Sequence, residues 1–317
     1  SPFFMHFDHA EIEEGPMGYM VQDRFIRRAL LDAMASNDAI THLSGDTVIG
    51  QAVLPGAVSV SLASGSDLTA KLLVGADGRS GGTATRAGIK RIGWGYEQAA
   101  LVCAIEHEKP HNGVAHQFFM PTGPLAILPL PGNVSSIVWS ETAENAALFH
   151  ALPDTDYMTM LKPRFGDFLG DIKLTGQRYT YPLSLSLAQN LVKDRIALIG
   201  DAAHGVHPIA GQGLNAGMRD IAALAQVITD ATRRGEDPGS TAVLHRYEEW
   251  RRFDNTALAI ATDGFNRLFS NDNAMVRSVR DMGMGIVNAI PGMRRGFMRE
   301  AAGLTGDLPR LMQGRPL

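Results

Sequence analysis

The residues best placed to do chemistry lie between Arg195 and Asp220, in the run R-I-A-L-I-G-D-A-A-H-G-V-H-P-I-A-G-Q-G-L-N-A-G-M-R-D. A hydrophobic strand over residues 196–199 delivers Gly200 and Asp201 to the C-terminal edge of a sheet, where open α/β sheets bind ligands. Asp201 is there a fixed carboxylate that can accept hydrogen bonds from a polyol. Gly211, Gly213 and Gly217 let the backbone approach a ligand closely. A helix is expected to start near residues 213–215. Its first amides lack partners within the helix and carry the positive end of the dipole, so they can stabilise an anion or a developing negative charge.

A second run, L-L-V-G-A-D-G-R-S over residues 72–80, places an Asp77-Gly78 turn after a strand, with Arg79 able to meet a phosphate. Other chemistry-bearing residues give less. His204 and His207 bracket a glycine, but a metal site needs further ligands at suitable spacing, and none is evident. His204 reads as a loop-ordering residue and, with Pro208, as a candidate for lining the site. Cys103 sits in an apolar run and reads as an inert core residue.

The elements that must position these groups fall into three regions. Up to about residue 87, a helix opens at Asp23 with Phe25, Ile26, Ala29, Leu30, Ala33 and Met34 at helical spacing. Short β-rich runs follow at 47–54, 57–63 and 68–74. Residues 88–187 are mostly strand, at 99–106, 115–120, 125–130, 134–140 and 178–187, with a helical insert at 141–170 interrupted at Pro153. The third region holds the Gly200 run, a helix to about residue 234, a long helix at 240–269, and a Met- and Arg-bearing tail at 273–302 broken at Pro291. The parallel-type strands 72–74 and 196–199 flank the β-rich block. The expected fold is therefore α/β (α+β): a Rossmann-like domain carrying an inserted, mainly antiparallel sheet domain, then C-terminal helices. The expected boundaries are 1–87 with 188–235, then 88–187, then 236–317.

Composition narrows the classes. With 317 residues, 45% of them hydrophobic, the chain can bury a sizeable core. Its 29 basic and 33 acidic residues give a net charge of −4 and no basic field for nucleic acid. One cysteine excludes an internal disulfide framework and points to a reducing, cytoplasmic compartment. No apolar run is long enough to predict a transmembrane helix, and no signal peptide opens the sequence.

The run from Gly200 through Ala202, Ala203, His204, Pro208, Gln212, Leu214 and Asn215 to Asp220 resembles the second FAD-binding motif of the flavin-dependent aromatic hydroxylases. The Asp77-Gly78 run, with Arg86 trailing, resembles that family's Asp-Gly motif. The opening of the first helix resembles a segment whose Arg24 position faces the flavin. Within this family, Gly18-Tyr19-Met20-Val21, His204, His207-Pro208 and the Gly303-Leu304…Pro309 ending are most similar to the ubiquinone-biosynthesis hydroxylases. The resemblance implies FAD as cofactor and NAD(P)H as electron donor. It further implies hydroxylation of a polyprenylated phenol: reduced flavin takes up O2 at C4a, forming the C4a-hydroperoxyflavin, and passes the distal oxygen to the ring. The implied FAD-binding residues are Arg24, Asp77, Gly78, Arg79, Gly200, Asp201, Pro208, Gly211, Gln212, Gly213, Leu214 and Asn215.

On the inserted sheet, Phe118, Met120, Leu128 and Trp139 are candidates for the substrate pocket wall. The tail's apolar face with arginine flanks can dock on a membrane surface or on other ubiquinone-biosynthesis proteins, which would make the protein peripheral to the inner membrane. The family also opens with a Gly-x-Gly-x-x-Gly βαβ unit that grips the adenosine half of FAD, and nothing like it precedes Asp77. The expectation is a chain lacking that segment, which as written is inactive or binds FAD weakly or not at all. Two other readings stand beside the hydroxylase: a flavin-dependent reductase of the same superfamily, and a non-catalytic subunit of a biosynthetic complex.

Overall fold

The computed structural model describes residues 6–11, 15–270 and 290–317. Along the chain run α1 (Asp23–Ala35), β1 (Val48–Leu54), β2 (Ala57–Leu62), β3 (Asp67–Ala70), β4 (Leu73–Gly75), α2 (Gly82–Arg86), β5 (Arg91–His107), β6 (His116–Met120), β7 (Gly123–Leu130) and β8 (Val134–Thr142). Then come α3 (Ala143–Ala151), α4 (Asp154–Phe165), β9 (Ile172–Ala188), β10 (Val192–Lys193), β11 (Ile196–Leu198), β12 (His204–Gly205), α5 (Gly213–Arg233), α6 (Thr241–Phe269) and α7 (Pro291–Ala301). The fold is mixed α/β. It divides into two compact units: Ser1–Ser36 with Gly95–Leu183 and Gly264–Ala302, and Asn37–Trp94 with Ser184–Asp263 and Gly303–Leu317.

The first unit is built on the antiparallel strands β5, β8, β7 and β6, with β9 beside β5. Alternation along these strands sends Leu101, Cys103, Ile105, Leu125, Ile127, Ile137 and Trp139 to one face. There they pack against Tyr157, Met158, Leu161 and Phe165 of α4 and Ala146 of α3. Pro153 separates the two helices, and the Thr142 hydroxyl caps α3 by accepting from the Asn145 amide at 3.2 Å.

In the second unit, β4 and β11 pair in parallel with Ile196 opposite Leu73 and Leu198 opposite Gly75. Short β10 extends this sheet beside β11. Gly75 is a packing necessity, because a Cβ there would come within 2.8 Å of both Leu198 and Thr83. The core joins Ala197 and Leu198 of β11 to Ala223, Leu224, Val227 and Ala231 of α5 and to Val243, Leu244 and Tyr247 of α6.

Three expectations change here. The run 68–74 is two strands in two different sheets: β3 closes an antiparallel ladder with β2, and β4 pairs with β11. A single apolar run cannot reveal a change of partner. The long helix α6 is not part of a separate C-terminal region over its first half, because its inward residues complete the core under β11. Finally, the first 36 residues group with the sheet unit, not with the parallel strands. Most of the Met-rich stretch at 273–290, including Met275, Met282, Met284, Ile286 and Val287, lies outside the described residues.

Candidate functional site

Both chemistry-bearing turns leave the C-terminal ends of the parallel pair β4 and β11. The Ile199 amide donates to the Gly75 carbonyl at 3.0 Å and closes the pair just before the two turns diverge. Gly200 then adopts φ +57°, a left-handed conformation that suits glycine, and Asp201 follows with its side chain 46% exposed.

The Gly200 turn is held from beneath by a buried polar network. Asp220 of α5 is fully buried, and its Oδ2 accepts from the Gly200 amide at 3.0 Å and pairs with His204 Nε2 at 2.5 Å. Its Oδ1 accepts from Arg251 Nε at 2.9 Å and Asn255 Nδ2 at 3.3 Å, both on α6. Burial alone would push the Asp220 carboxyl up, but the bonds from His204 and Arg251 outweigh it, so its pKa lies below the usual carboxylate value. His204, expected to order the loop or line the site, is turned inward to Asp220 and is itself buried.

The approach to α5 is shaped by a second set of contacts. His207 Nδ1 accepts from the Ile209 amide at 3.1 Å, capping the short turn Pro208–Ala210. Burial first, then the neighbouring Arg79 charge, push the His207 pKa down to about 4, so the ring is neutral at pH 7. Gly211 takes φ +62° and lets the chain turn into α5. No side chain caps α5 and no acidic residue sits in its first turn, so the leading amides of Gly213, Leu214 and Asn215 have no acceptor within the helix. A Cβ at Gly211 or Gly213 would meet nothing within 4 Å. Gly217 serves another purpose than ligand approach: a Cβ there would lie 3.3 Å from the Gly200 Cα, so it lets the helix pack on the turn.

The Asp-Gly motif is committed to local structure. Asp77 Oδ2 accepts from the Thr83 amide at 2.9 Å and the Thr83 hydroxyl at 2.8 Å, holding the start of α2. Gly78 supplies the positive φ of the turn. Arg86 donates to Gln51 Oε1 at 3.1 Å. Arg79 reaches across to Asp201, 122 residues away, donating from Nε to Oδ2 at 3.0 Å. Arg91 also ties the turn to β9, donating from Nη1 to the Ala202 carbonyl and from Nε to Ser186 Oγ at 2.8 Å. Sequence reading missed Arg91, Arg251 and Asn255. None belongs to a motif, and only the cross-chain contacts reveal them.

The remaining candidates lie in the first unit. Arg24 stands exposed on α1 with its guanidinium 4.8 Å from the Phe25 ring. The four substrate-wall candidates separate by strand register. Phe118 opposes Leu125, Leu125 opposes Trp139, and Trp139 opposes Leu101, so this row faces α3 and α4. Trp139 is fully buried, stacked 5.1 Å from Phe149, and is a core residue instead of a pocket wall. Met120 packs on the same core, and the Phe118 ring meets Phe168 at 6.2 Å. Leu128 alone of the four lies on the opposite face, in a row with Ser136 and Ala104. The next row on that face is Ala126, Val138 and Val102, all part-exposed. Tyr179 and Tyr181 stack there with centroids 6.4 Å apart and are about half exposed, whereas Arg178 between them and the core points to Tyr157.

The second unit's edge fits the FAD that the resemblance implies. Its donor and acceptor set is an exposed carboxylate for ribityl hydroxyls, and uncapped helix amides for the electron-rich edge of the flavin ring. The open space above Gly211 and Gly213 admits a flat group against backbone. No cluster of metal-ligating side chains occurs among the described residues.

Comparison with known proteins agrees with this geometry. A family model described as FAD binding domain matches residues 41–259. The chain is 45% identical over 320 residues to the ubiquinone hydroxylase UbiL of Rhodospirillum rubrum, covering all of this chain and 74% of that protein. It is 34% identical to the rat mitochondrial ubiquinone biosynthesis monooxygenase COQ6, covering 93% of this chain and 71% of the relative. It is also 31% identical to the 3-demethoxyubiquinol 3-hydroxylase of Escherichia coli, covering 94% and 76%. Among solved structures, the p-nitrophenol 4-monooxygenase PnpA of Pseudomonas putida superposes with a TM-score of 0.72 at 17% identity, over 88% of this chain and 72% of that one. The parallel pair with its two edge turns, the uncapped helix and these similarities identify the chain as a member of the FAD-binding family of flavin-dependent hydroxylases, an FAD-dependent monooxygenase of the ubiquinone-biosynthesis group.

Proposed function

We infer that this protein hydroxylates the aromatic ring of a polyprenylated phenol in ubiquinone biosynthesis, using FAD, NAD(P)H and O2. The observation that carries the reading is the exposed Asp201 carboxylate and the uncapped start of α5, both issuing from one sheet edge. Relatives named as ubiquinone hydroxylases support the substrate class. Bound FAD, reduced by NAD(P)H, supplies the activation of O2.

The chain's own residues do the rest. Asp201 accepts hydroxyl donors and fixes the polyol chain. The Gly213, Leu214 and Asn215 amides would hold the flavin ring and stabilise negative charge on it. His207, neutral at pH 7, adds no positive charge to the turn that leads into α5. On the sheet unit, the open face with Leu128, Val138, Val102, Tyr179 and Tyr181 offers an apolar and aromatic surface for a prenylated ring.

No helix among the described residues is long and apolar enough to cross a membrane. Such a substrate resides in lipid, so we place the protein at the cytoplasmic side of the inner membrane as a peripheral protein. Arg295, exposed on α7, is its candidate contact with lipid headgroups or with other enzymes of the pathway.

The test is turnover with a polyprenylphenol, NAD(P)H and heavy-isotope O2, read by mass spectrometry of the product. One heavy oxygen atom in the ring is expected. A saturated prenyl chain without label, or NAD(P)H oxidation with no change in the phenol, overturns the reading.

A further inference from the structure

Arg79 is spent in an unusual way for an exposed arginine beside a candidate phosphate-bearing cofactor. Each of its three nitrogens already donates within the protein. Nε donates to Asp201 Oδ2 at 3.0 Å, Nη1 to the Ser184 carbonyl at 3.1 Å, and Nη2 to the Val206 carbonyl at 3.1 Å. A weaker contact of Nη1 with Ser184 Oγ spans 3.4 Å. The guanidinium therefore bridges the end of β9, the segment after β12 and the Asp201 turn. The chain is built around this bridge. A Cβ at Gly205 would lie 2.4 Å from Arg79 Nε and 2.8 Å from its Cδ, so residue 205 must be glycine for the arginine to cross it.

We propose that Arg79 is the positioning residue that presents Asp201 to the polyol chain of the flavin: it anchors Oδ2 and leaves Oδ1 as the single acceptor for a ribityl hydroxyl. An unanchored aspartate rotates about two side-chain bonds and offers either oxygen. One whose Oδ2 is fixed by a planar, rigidly tethered guanidinium presents its other oxygen, Oδ1, in one orientation. Arg79 is thus not the phosphate ligand that an arginine after an Asp-Gly turn suggests. The proposal rests on the reading that the Gly200–Asp201 turn holds the ribityl part of FAD.

The test compares two probes by fluorescence quenching on the full chain: riboflavin, which carries the ribityl chain, and lumiflavin, which has a methyl group in its place. The wild-type protein is expected to prefer riboflavin. Arg79→Met should weaken riboflavin about tenfold and leave lumiflavin unchanged, the loss of one well-aimed charge-assisted hydrogen bond. Arg79→Lys, which can meet Asp201 but cannot tether to both carbonyls, should recover part of the preference. Gly205→Ala, which displaces the arginine without removing it, should mimic Arg79→Met. Thermal unfolding of each variant checks that the fold survives.

If the wild type prefers riboflavin and Arg79→Met keeps that preference, the proposal is overturned while the flavin site stands. If the wild type binds neither probe, or binds both equally, the reading of the turn as the ribityl site is overturned and the proposal falls with it.

Discussion

The sharpest test of the buried network is Arg251→Met. Asp220 is fully buried, and Arg251 supplies the cation beside its Oδ1 at 2.9 Å. Arg251 is itself tied to Asp254 at 2.6 Å and Asn255 at 2.9 Å. Methionine keeps most of the volume but leaves the carboxylate with His204, Asn255 and the Gly200 amide only. Removing one partner of a buried ion pair costs about 3–5 kcal/mol, because a charge is left in a poorly polarisable interior. That corresponds to a fall in Tm on the order of 10 °C. Urea unfolding at pH 7, followed by tryptophan fluorescence to which Trp250 on the same helix contributes, measures it. The double variant Asp220→Asn with Arg251→Met should be more stable than Arg251→Met alone, since no unpaired charge remains. The pH dependence has a definite sign. The folded pKa of Asp220 lies below its ordinary 3.8, so its contribution is present above that value and is lost as pH falls through the lower folded pKa. In Arg251→Met the folded pKa moves back up, and acid sensitivity begins at higher pH. A single variant within about 1 kcal/mol of wild type, or a double variant no better than the single, refutes the argument.

Three further outcomes are expected. The folded His207 pKa of about 4 lies below the unfolded value of 6.5, so the neutral ring's contribution is complete above 6.5 and declines as pH falls towards 4. Between pH 7 and pH 5 the wild type should lose about 2 kcal/mol more than His207→Asn does in urea titrations, and equal losses count against a buried neutral ring. Trp139→Ala empties a fully buried site and should cost about 3–5 kcal/mol, whereas Leu128→Gln on the opposite sheet face should spare stability and raise the KM for the prenylated phenol; equal effects on both readouts would contradict the face assignment. Gly93→Ala would place a Cβ 2.2 Å from the Leu185 carbonyl oxygen, so this variant should unfold at a clearly lower temperature, and an unchanged Tm would show that the strands part without strain.

The parallel pairing of residues 72–74 with 196–199 was legible in the sequence because both are short apolar runs followed by Gly-Asp or Asp-Gly turns. The start of α5 at Gly213 was legible for a similar reason: glycines and an asparagine break the preceding strand pattern and open an amphipathic repeat. Register within the sheet was not. Phe118, Met120 and Trp139 are as apolar as Leu128, and only the pairing of Trp139 with Leu125 and Leu101 shows that they face the helices. A shift of one residue would have exchanged the faces, and composition does not fix that shift. The boundaries of the two units differ from the expected ones for a related reason. α6 reads as an independent amphipathic helix, yet Val243, Leu244 and Tyr247 fill the core beside β11.

What the sequence determined by itself is the chemistry available: a carboxylate at a sheet edge, a glycine-rich entry to a long helix, and the family to which that pattern belongs. These are local properties, set by residue type and by spacing within a few turns of chain. What only the tertiary structure decided is which groups are free to act. Asp77 and Arg79 occur in a motif, but the fold commits the first to Thr83 and the second to Asp201. Asp220 and Arg251, 31 residues apart on two helices, become a single buried unit beneath Gly200. The physical reason is that a polar side chain taken out of water must find a partner, and that partner is fixed by packing in space and not by distance along the chain.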